Sequence, residues 1–306
     1  MRTIGKTIIT TAIVIALLAL ADLAFGRIME GMRDASRGGD TRNTHYINTS
    51  LTDSVIILGS SRANHHYDPS ILAEKFGTSA YNCGFDGNGI ILAYSFVNNM
   101  LQRGHRPRMI IYDFFPAFDL NDNNDRGKAL SRMRSYYKID GMQEIIDDID
   151  PNEYVKLHLA SYRYNTTFLQ VISDYFKPQQ HAEAGFKPMD GSMSTQFTDR
   201  PEPARPVDSI KAKYLRRLVE TCRREGIRLV MVVSPYYFKP SQAERQRYDS
   251  LYSLYVGMDV PLLYFKNLEG ISGNDSLFVD PSHMNREGAR RFSTMLADTL
   301  ASLFQP

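Results

Sequence analysis

The sequence predicts an α/β domain of three layers, with helices on both faces of a mostly parallel sheet of about five strands and one apolar helix at the amino end. Three observations predict it. Short apolar runs that stop at glycine or Ser-Pro recur along the chain, as strands buried on both faces do. Stretches of helical period lie between them, two of them closed by Gly104 and Gly226. A separate apolar stretch runs from Thr7 to Phe25.

The elements follow in order. Arg2 and Lys6 precede the first apolar stretch, and Asp22 interrupts it near its end. At about 19 residues it is near the length needed to cross a bilayer. A cleaved signal peptide is the competing reading, because Ala19-Leu20-Ala21 fits a small-residue cleavage site. The apolar pattern continues past that site into Leu23, Phe25, Ile28 and Met32, which favours an uncleaved anchor over residues 1–33. A buried amphipathic helix is the third reading. For either exported form, the basic flank leaves the chain after about residue 33 outside the cytoplasm. Residues 34–51, polar and carrying Gly38-Gly39, read as a linker.

The domain then occupies 52–306. Val55-Ile56-Ile57-Leu58 predicts the first strand and Ala80-Tyr81-Asn82-Cys83 a weaker second. Residues 89–103 predict a helix, Met109-Ile110-Ile111-Tyr112 a third strand, and 207–225 a charged helix. Leu229–Val233 is the fourth strand, 241–256 a helix, Leu262–Tyr264 a weak fifth strand, and 286–303 the last helix. The segment from about 117 to 206 breaks this rhythm and reads as an insertion between the third and fourth strands. It opens on Asp119, Asp122, Asn123, Asn124 and Asp125, and closes on Pro201-Glu202-Pro203-Ala204-Arg205-Pro206. The acidic run lacks the glycine and terminal glutamate of a calcium loop and reads as solvated.

Composition narrows the function. A hydrophobic content of 43% excludes a disordered chain, and a net charge of +2 gives no reason to expect nucleic acid. Two cysteines, Cys83 and Cys222, exclude a disulfide scaffold and a multi-cysteine zinc site.

Three stretches carry chemistry, each where a strand meets a loop. Gly59-Ser60-Ser61-Arg62 follows the first strand, at the sheet edge where open parallel sheets bind ligands. By itself it is equally a turn with a capping serine. Asp280-Pro281-Ser282-His283 puts a carboxylate and an imidazole three residues apart, enough for a base and its orienting partner, or for a turn and a surface histidine. Gly84, Gly87 and Gly89 make a loop whose backbone can approach a ligand and offer N–H groups to an oxyanion, or a plain tight turn. Arg62 reads as a site for an anionic substrate group or a surface ion pair. Asp113, at a strand end, and His66 read as substrate-binding residues; His65 and His66, adjacent on a helix, point apart, which argues against a shared metal.

Order and position together resemble the SGNH (GDSL-like) hydrolase superfamily, loosely its membrane-anchored cell-envelope members such as the D-alanyl-lipoteichoic-acid transfer proteins. The likeness covers about residues 52–115 and 207–303 and implies a flavodoxin-like fold. It implies Ser61 as nucleophile, His283 as base, Asp280 as its partner, and the N–H groups of Ser61 and Gly87 as oxyanion donors. The function it implies is serine-dependent hydrolysis or transfer of O-acyl groups, with an acylated carbohydrate or envelope polymer as substrate, the membrane as partner through the amino-terminal helix, and no metal or organic cofactor. One departure stands out. Where the family has an asparagine donor after the third strand, this chain has Asp113-Phe114-Phe115-Pro116, and Asn88 is the substitute at hand. A non-catalytic envelope binding or assembly module that keeps the fold is the alternative.

Overall fold

The sheet forms where apolar residues run unbroken. The computed structural model describes residues 2–121, 125–177, 184–199 and 205–304. Its strands are β1 (Val55–Leu58), β2 (Ala80–Asn82), β3 (Met109–Asp113), β4 (Arg228–Val233) and β5 (Leu262–Tyr264), all parallel, in the order β2-β1-β3-β4-β5. Ile57 stands opposite Asn82 on one side and Ile111 on the other, and Ile111 opposite Val230. Every residue of β1 and β3 is buried, as a central parallel strand requires.

The helices up to the site are α1 (Arg2–Asp34), α2 (Gly39–Thr49), α3 (Ser61–His66), α4 (Pro69–Phe76), α5 (Ile90–Gln102), α6 (Pro116–Asp119) and α7 (Arg126–Met133). Beyond them come α8 (Met142–Ile149), α9 (Glu153–Lys156), α10 (Ala160–Arg163), α11 (Phe168–Phe176), α12 (Ser209–Arg224), α13 (Gln242–Tyr255) and α14 (Arg286–Leu303). A two-stranded antiparallel pair, β6 (Phe278–Asp280) and β7 (His283–Met284), stands before α14. It replaces the expected loop and holds Asp280 opposite His283.

Contacts divide the chain into two units, one of Ile47–Ala129 with His181–Pro306 and one of Met1–Tyr46 with Leu130–Gln180. The first holds the whole sheet. Helices α3, α4 and α14 pack together on one face, and α5 packs with α12 on the other. Alternation along the strands serves both faces: Ile57, Ile111 and Val230 meet Tyr67, Phe292 and Leu296 in one buried cluster. Asp68 caps α4 by accepting from Ser70 N, and Asp208 caps α12 by accepting from Ile210 N and Lys211 N.

The second unit is helical. Phe25, Met29 and Met32 of α1 pack with Tyr164 and with Val171 and Ile172 of α11. Its α1 is long and apolar enough to cross a membrane.

Three expectations need correction. Residues 34–51 are not a loose linker: 39–49 form α2, and Ile47 and Leu51 are fully buried. Nor is the inserted segment one body. Residues 130–180 belong with the amino-terminal helices, whereas 117–129 and the described residues after 183 belong with the sheet. Asp122, Asn123, Asn124 and Pro201 to Ala204 lie outside the described residues. Asp119, at the start of the acidic run, is buried rather than solvated; it accepts from Tyr112 Oη and Phe115 N, each at 2.7 Å.

Phe292 of α14 is fully buried between the rings of Tyr67 and Phe265. Phe292→Ala is expected to lower unfolding stability by about 3–5 kcal/mol in a urea titration of the detergent-solubilised chain. A loss under about 1 kcal/mol would contradict this packing.

Candidate active site

The site is built on the turn between β1 and α3. Gly59 has φ +144°, and a side-chain carbon there would fall 2.9 Å from Ala63 Cβ and 3.1 Å from Asp113 Cβ. Only glycine fits so sharp a turn, and the turn delivers Ser61 as the first residue of α3. Ser60 precedes it without a side-chain capping bond. The chain then returns from the far end of the domain: Ser61 Oγ lies 2.8 Å from His283 Nε2, and His283 Nδ1 lies 2.8 Å from Asp280 Oδ2. Asp280 also accepts from the backbone N–H groups of Ser282 (2.7 Å) and His283 (3.0 Å). Burial alone would raise its pKa, but the His283 hydrogen bond and charge and these N–H groups outweigh it and hold it below the usual carboxylate value. An ionised Asp280 accepts the proton on Nδ1, so Nε2 is the free acceptor and the Ser61 hydroxyl donates to it. A serine so placed is set up for nucleophilic attack.

Beneath this trio lies a buried layer. Asp113, fully buried at the end of β3, accepts from Arg62 Nε (3.1 Å), Tyr67 Oη (2.7 Å) and Ser234 N (3.2 Å). The Arg62 guanidinium is also buried and lies 4.4 Å from the centre of the Phe115 ring. Burial would lower its pKa, but the Asp113 charge reverses that. His66 is fully buried as well. Its Nε2 accepts from Met284 N at 3.0 Å, so its Nδ1–H donates to Ser234 Oγ at 3.0 Å. Burial first, then the Arg62 and His283 charges, keeps His66 well below its ordinary pKa and hence neutral.

These contacts correct three expectations. All three are buried: Arg62 pairs with Asp113 through Nε, its two Nη atoms without a hydrogen-bond partner among the described residues, and His66 fixes the backbone next to His283.

The glycine loop flanks the β1–α3 turn. Cys83 N donates to Ile57 O (2.8 Å) and Phe85 N to Gly59 O (3.3 Å). Asn82 holds the loop from below: its Nδ2 donates to Ala63 O and Tyr67 O, and its Oδ1 accepts from Gly84 N. Gly87 has φ +67°, and a side-chain carbon there would fall 2.5 Å from Lys128 Nζ, so the lysine lies across it. Asn88 is buried and donates from Nδ2 to Asp86 O at 3.0 Å, bracing its own loop. At the position of the absent asparagine, Phe115 stacks on Arg62 and Pro116 starts α6.

Sequence reasoning weighed His65 beside His66 and took His66 as the substrate-binding residue. His65 Nδ1 is 2.6 Å from Lys187 O and its Nε2 3.1 Å from Asp86 Oδ1, while Asn64 Nδ2 donates to the same oxygen at 2.7 Å. The His65 ring stands edge-on to the His283 ring, 5.6 Å between centres. Helical spacing was the available signal: position i+4 from Ser61 is His65, whereas His66 turns inward. Residues 184–193 lie beside the site. Ala184 O accepts from Asn82 N, Lys187 N donates to Asn64 O, and Met189 O accepts from Arg286 N.

No known family profile matches the chain, and no curated protein matches it. Among solved structures, a protein from Streptococcus pneumonia described as a candidate platelet activating factor aligns over 94% of this chain and 99% of its own, at 13% identity and a TM-score of 0.42. A likeness that loose carries no argument for function.

His66 gives the structure a pH signature. Its folded pKa lies below the unfolded value near 6.5, so its contribution is present above that pH. As the pH falls below it, the unfolded chain takes up a proton that the native site refuses, and stability drops by up to about 1.4 kcal/mol per pH unit. Between pH 7.5 and 5.5 the urea midpoint should fall more steeply for the parent than for His66→Asn. Equal slopes would refute this account of the buried layer.

Proposed function

We propose that the chain is a membrane-anchored, exported serine esterase or acyltransferase of SGNH type, acting on O-acyl groups of carbohydrate or envelope-polymer substrates. The observation that carries this reading is the continuous set of hydrogen bonds from Ser61 through His283 to Asp280. As the ester carbonyl arrives, Ser61 Oγ attacks it and His283 Nε2 takes the hydroxyl proton. Asp280 keeps Nδ1 protonated and steadies the imidazolium. The oxyanion forms beside the glycine loop, where the N–H groups of Ser61 and Gly87 receive it. Breakdown of the tetrahedral intermediate expels the alcohol, which leaves with the proton from Nε2, and an acyl-Ser61 remains. Water, or a sugar or polymer hydroxyl, gives its proton to His283 and attacks the acyl carbon. The second tetrahedral intermediate breaks its bond to Ser61 Oγ, His283 Nε2 returns its proton to that oxygen, and the acid or new ester leaves.

The absent asparagine donor favours the second reading, a binding or assembly module without turnover, because losing one such donor costs roughly 10²–10³ in rate. One experiment separates the two. The purified chain is incubated with a fluorophosphonate and weighed intact, beside Ser61→Ala. One adduct on the parent and none on the variant is expected, together with a loss of roughly 10⁴-fold or more in the variant's aryl-acetate hydrolysis. A folded parent that takes up no probe would shift the assignment to the binding module.

A second expectation concerns His65. Donating from both nitrogens requires the imidazolium. Burial pulls its pKa down, but the Asp86 hydrogen bond and charge and the Lys187 carbonyl outweigh this and raise it above 6.5. The clamp is therefore complete at low pH and is lost as the pH rises through that raised pKa. Asp86, Lys187, His66 and His283 are the charged or titratable groups around it. Turnover should fall on the alkaline side, and this limb should vanish in His65→Gln. An unchanged alkaline limb in the variant would exclude His65 as a holder of the glycine loop.

A further inference from the structure

The helical unit carries apolar side chains that nothing in it covers. Besides those of α1, the exposed large ones are Val155 (72%), Leu159 (58%), Phe168 (37%), Leu169 (68%) and Phe176 (73%). Their heights along α1 can be read from contacts. The apolar run Thr7–Phe25 covers about 28 Å at 1.5 Å per residue, close to a hydrocarbon thickness of about 30 Å. Asp22 interrupts that run within a turn of its end. Its Oδ2 accepts from Ala160 N at 2.8 Å and its Oδ1 from Ser161 N at 2.7 Å. A carboxylate with two such bonds belongs at the hydrocarbon edge and not at its centre.

That bond fixes the start of α10 at the same edge. Leu159 is the residue next to Ala160, and Val155 lies one turn before it, linked by His158 N→Val155 O and Leu159 N→Lys156 O. A side-chain carbon on Gly26 would come within 2.7 Å of Ala160 Cβ, so this turn lies tight against α1. Helix α11 then rises away from the edge. Tyr164 packs edge-on to Phe25 and its carbonyl accepts from Phe168 N. Val171 packs with Met29, and Asp174 accepts from Thr41 N, beyond the end of α1. Phe168 and Leu169 therefore sit about 5–10 Å above Asp22, the depth of an interfacial layer, and Phe176 about 10 Å higher.

We propose that Val155, Leu159, Phe168 and Leu169 form an apolar foot seated in the phospholipid surface around α1, so that the unit holds the bilayer at two places. The inference rests on the reading of α1 as an uncleaved anchor. Its carrying observation is continuity: the exposed apolar surface of α1 runs past Asp22 to Leu23 and Ile28, and the foot extends it sideways at the level of Asp22. Foot and helix share one occupant, the lipid.

The chain has no tryptophan, so single substitutions report their own depth. Leu159→Trp, Leu169→Trp, Phe176→Trp and Ile13→Trp are made in the full chain and reconstituted into phosphatidylcholine vesicles. The lipids are brominated either near the ester end or deep in the acyl chain. Leu159→Trp and Leu169→Trp should emit blue-shifted and lose most of their emission to shallow bromine. Ile13→Trp should be quenched by deep bromine and Phe176→Trp by neither. Quenching at Ile13→Trp without quenching at Leu159→Trp and Leu169→Trp would overturn the foot and leave the anchor. No quenching at Ile13→Trp would overturn both. Quenching at Phe176→Trp equal to that at Leu169→Trp would overturn the upright placement of α11 on which the foot depends.

Discussion

The carboxylate of Asp113 is the constraint on which the β1–α3 turn depends. It sits with no solvent contact at the end of β3 and gathers three donors from three elements: Arg62 in α3, Tyr67 just beyond α3, and the backbone of Ser234 past β4. A buried anion without partners costs several kcal/mol, so these donors hold their places as firmly as the core does. Arg62, the second residue of α3, and Tyr67, just past its end, pin the helix that starts at Ser61. Ser234 in turn takes the His66 proton, and His66 takes the N–H of Met284. The aspartate therefore reaches Ser61 through Arg62, and His283 through Ser234, His66 and Met284.

Much of the sheet was legible because buried parallel strands carry an unambiguous signal. Val55–Leu58 and Met109–Tyr112 are unbroken apolar runs, and both strands stand where the runs stand. The helix at 286–303 was legible to the residue, since Asn285 caps it and its apolar face repeats regularly. The stretch 39–49 was not. Its helix is polar on average and buries only a few side chains, Ile47 among them, so nothing but tertiary contact distinguishes it from a linker. The β6–β7 pair is too short to leave a pattern at all. That the 130–180 segment joins α1 rather than the sheet depends on long-range packing, such as that of Met29 on Val171, which a linear pattern does not encode.

The candidate site divides along the same line. Ser61, Asp280 and His283 were found through local spacing and the order of the strands. The functions read for Arg62, His66 and Asp113 assumed that a polar residue near the site faces it. In a tightly turned strand-to-helix corner, every second or third residue faces the sheet instead, and polar groups there must find one another. Their buried roles are the outcome of that geometry. His65 and Lys128 reach the glycine loop from α3 and α7, which only the folded chain brings together.

One consequence follows from how far apart the two halves of the trio are in the chain. Asp280 and His283 are paired within a single hairpin, whereas Ser61 lies 222 residues before His283. A chain that emerges amino end first therefore carries its hydroxyl early and its imidazole last. Until the last residues are made, the Ser61 hydroxyl lacks the imidazole that it meets in the folded chain. The Ser61–His283 contact can form only when β7 and α14 have docked against α3, so it depends on the carboxyl-terminal segment being in place.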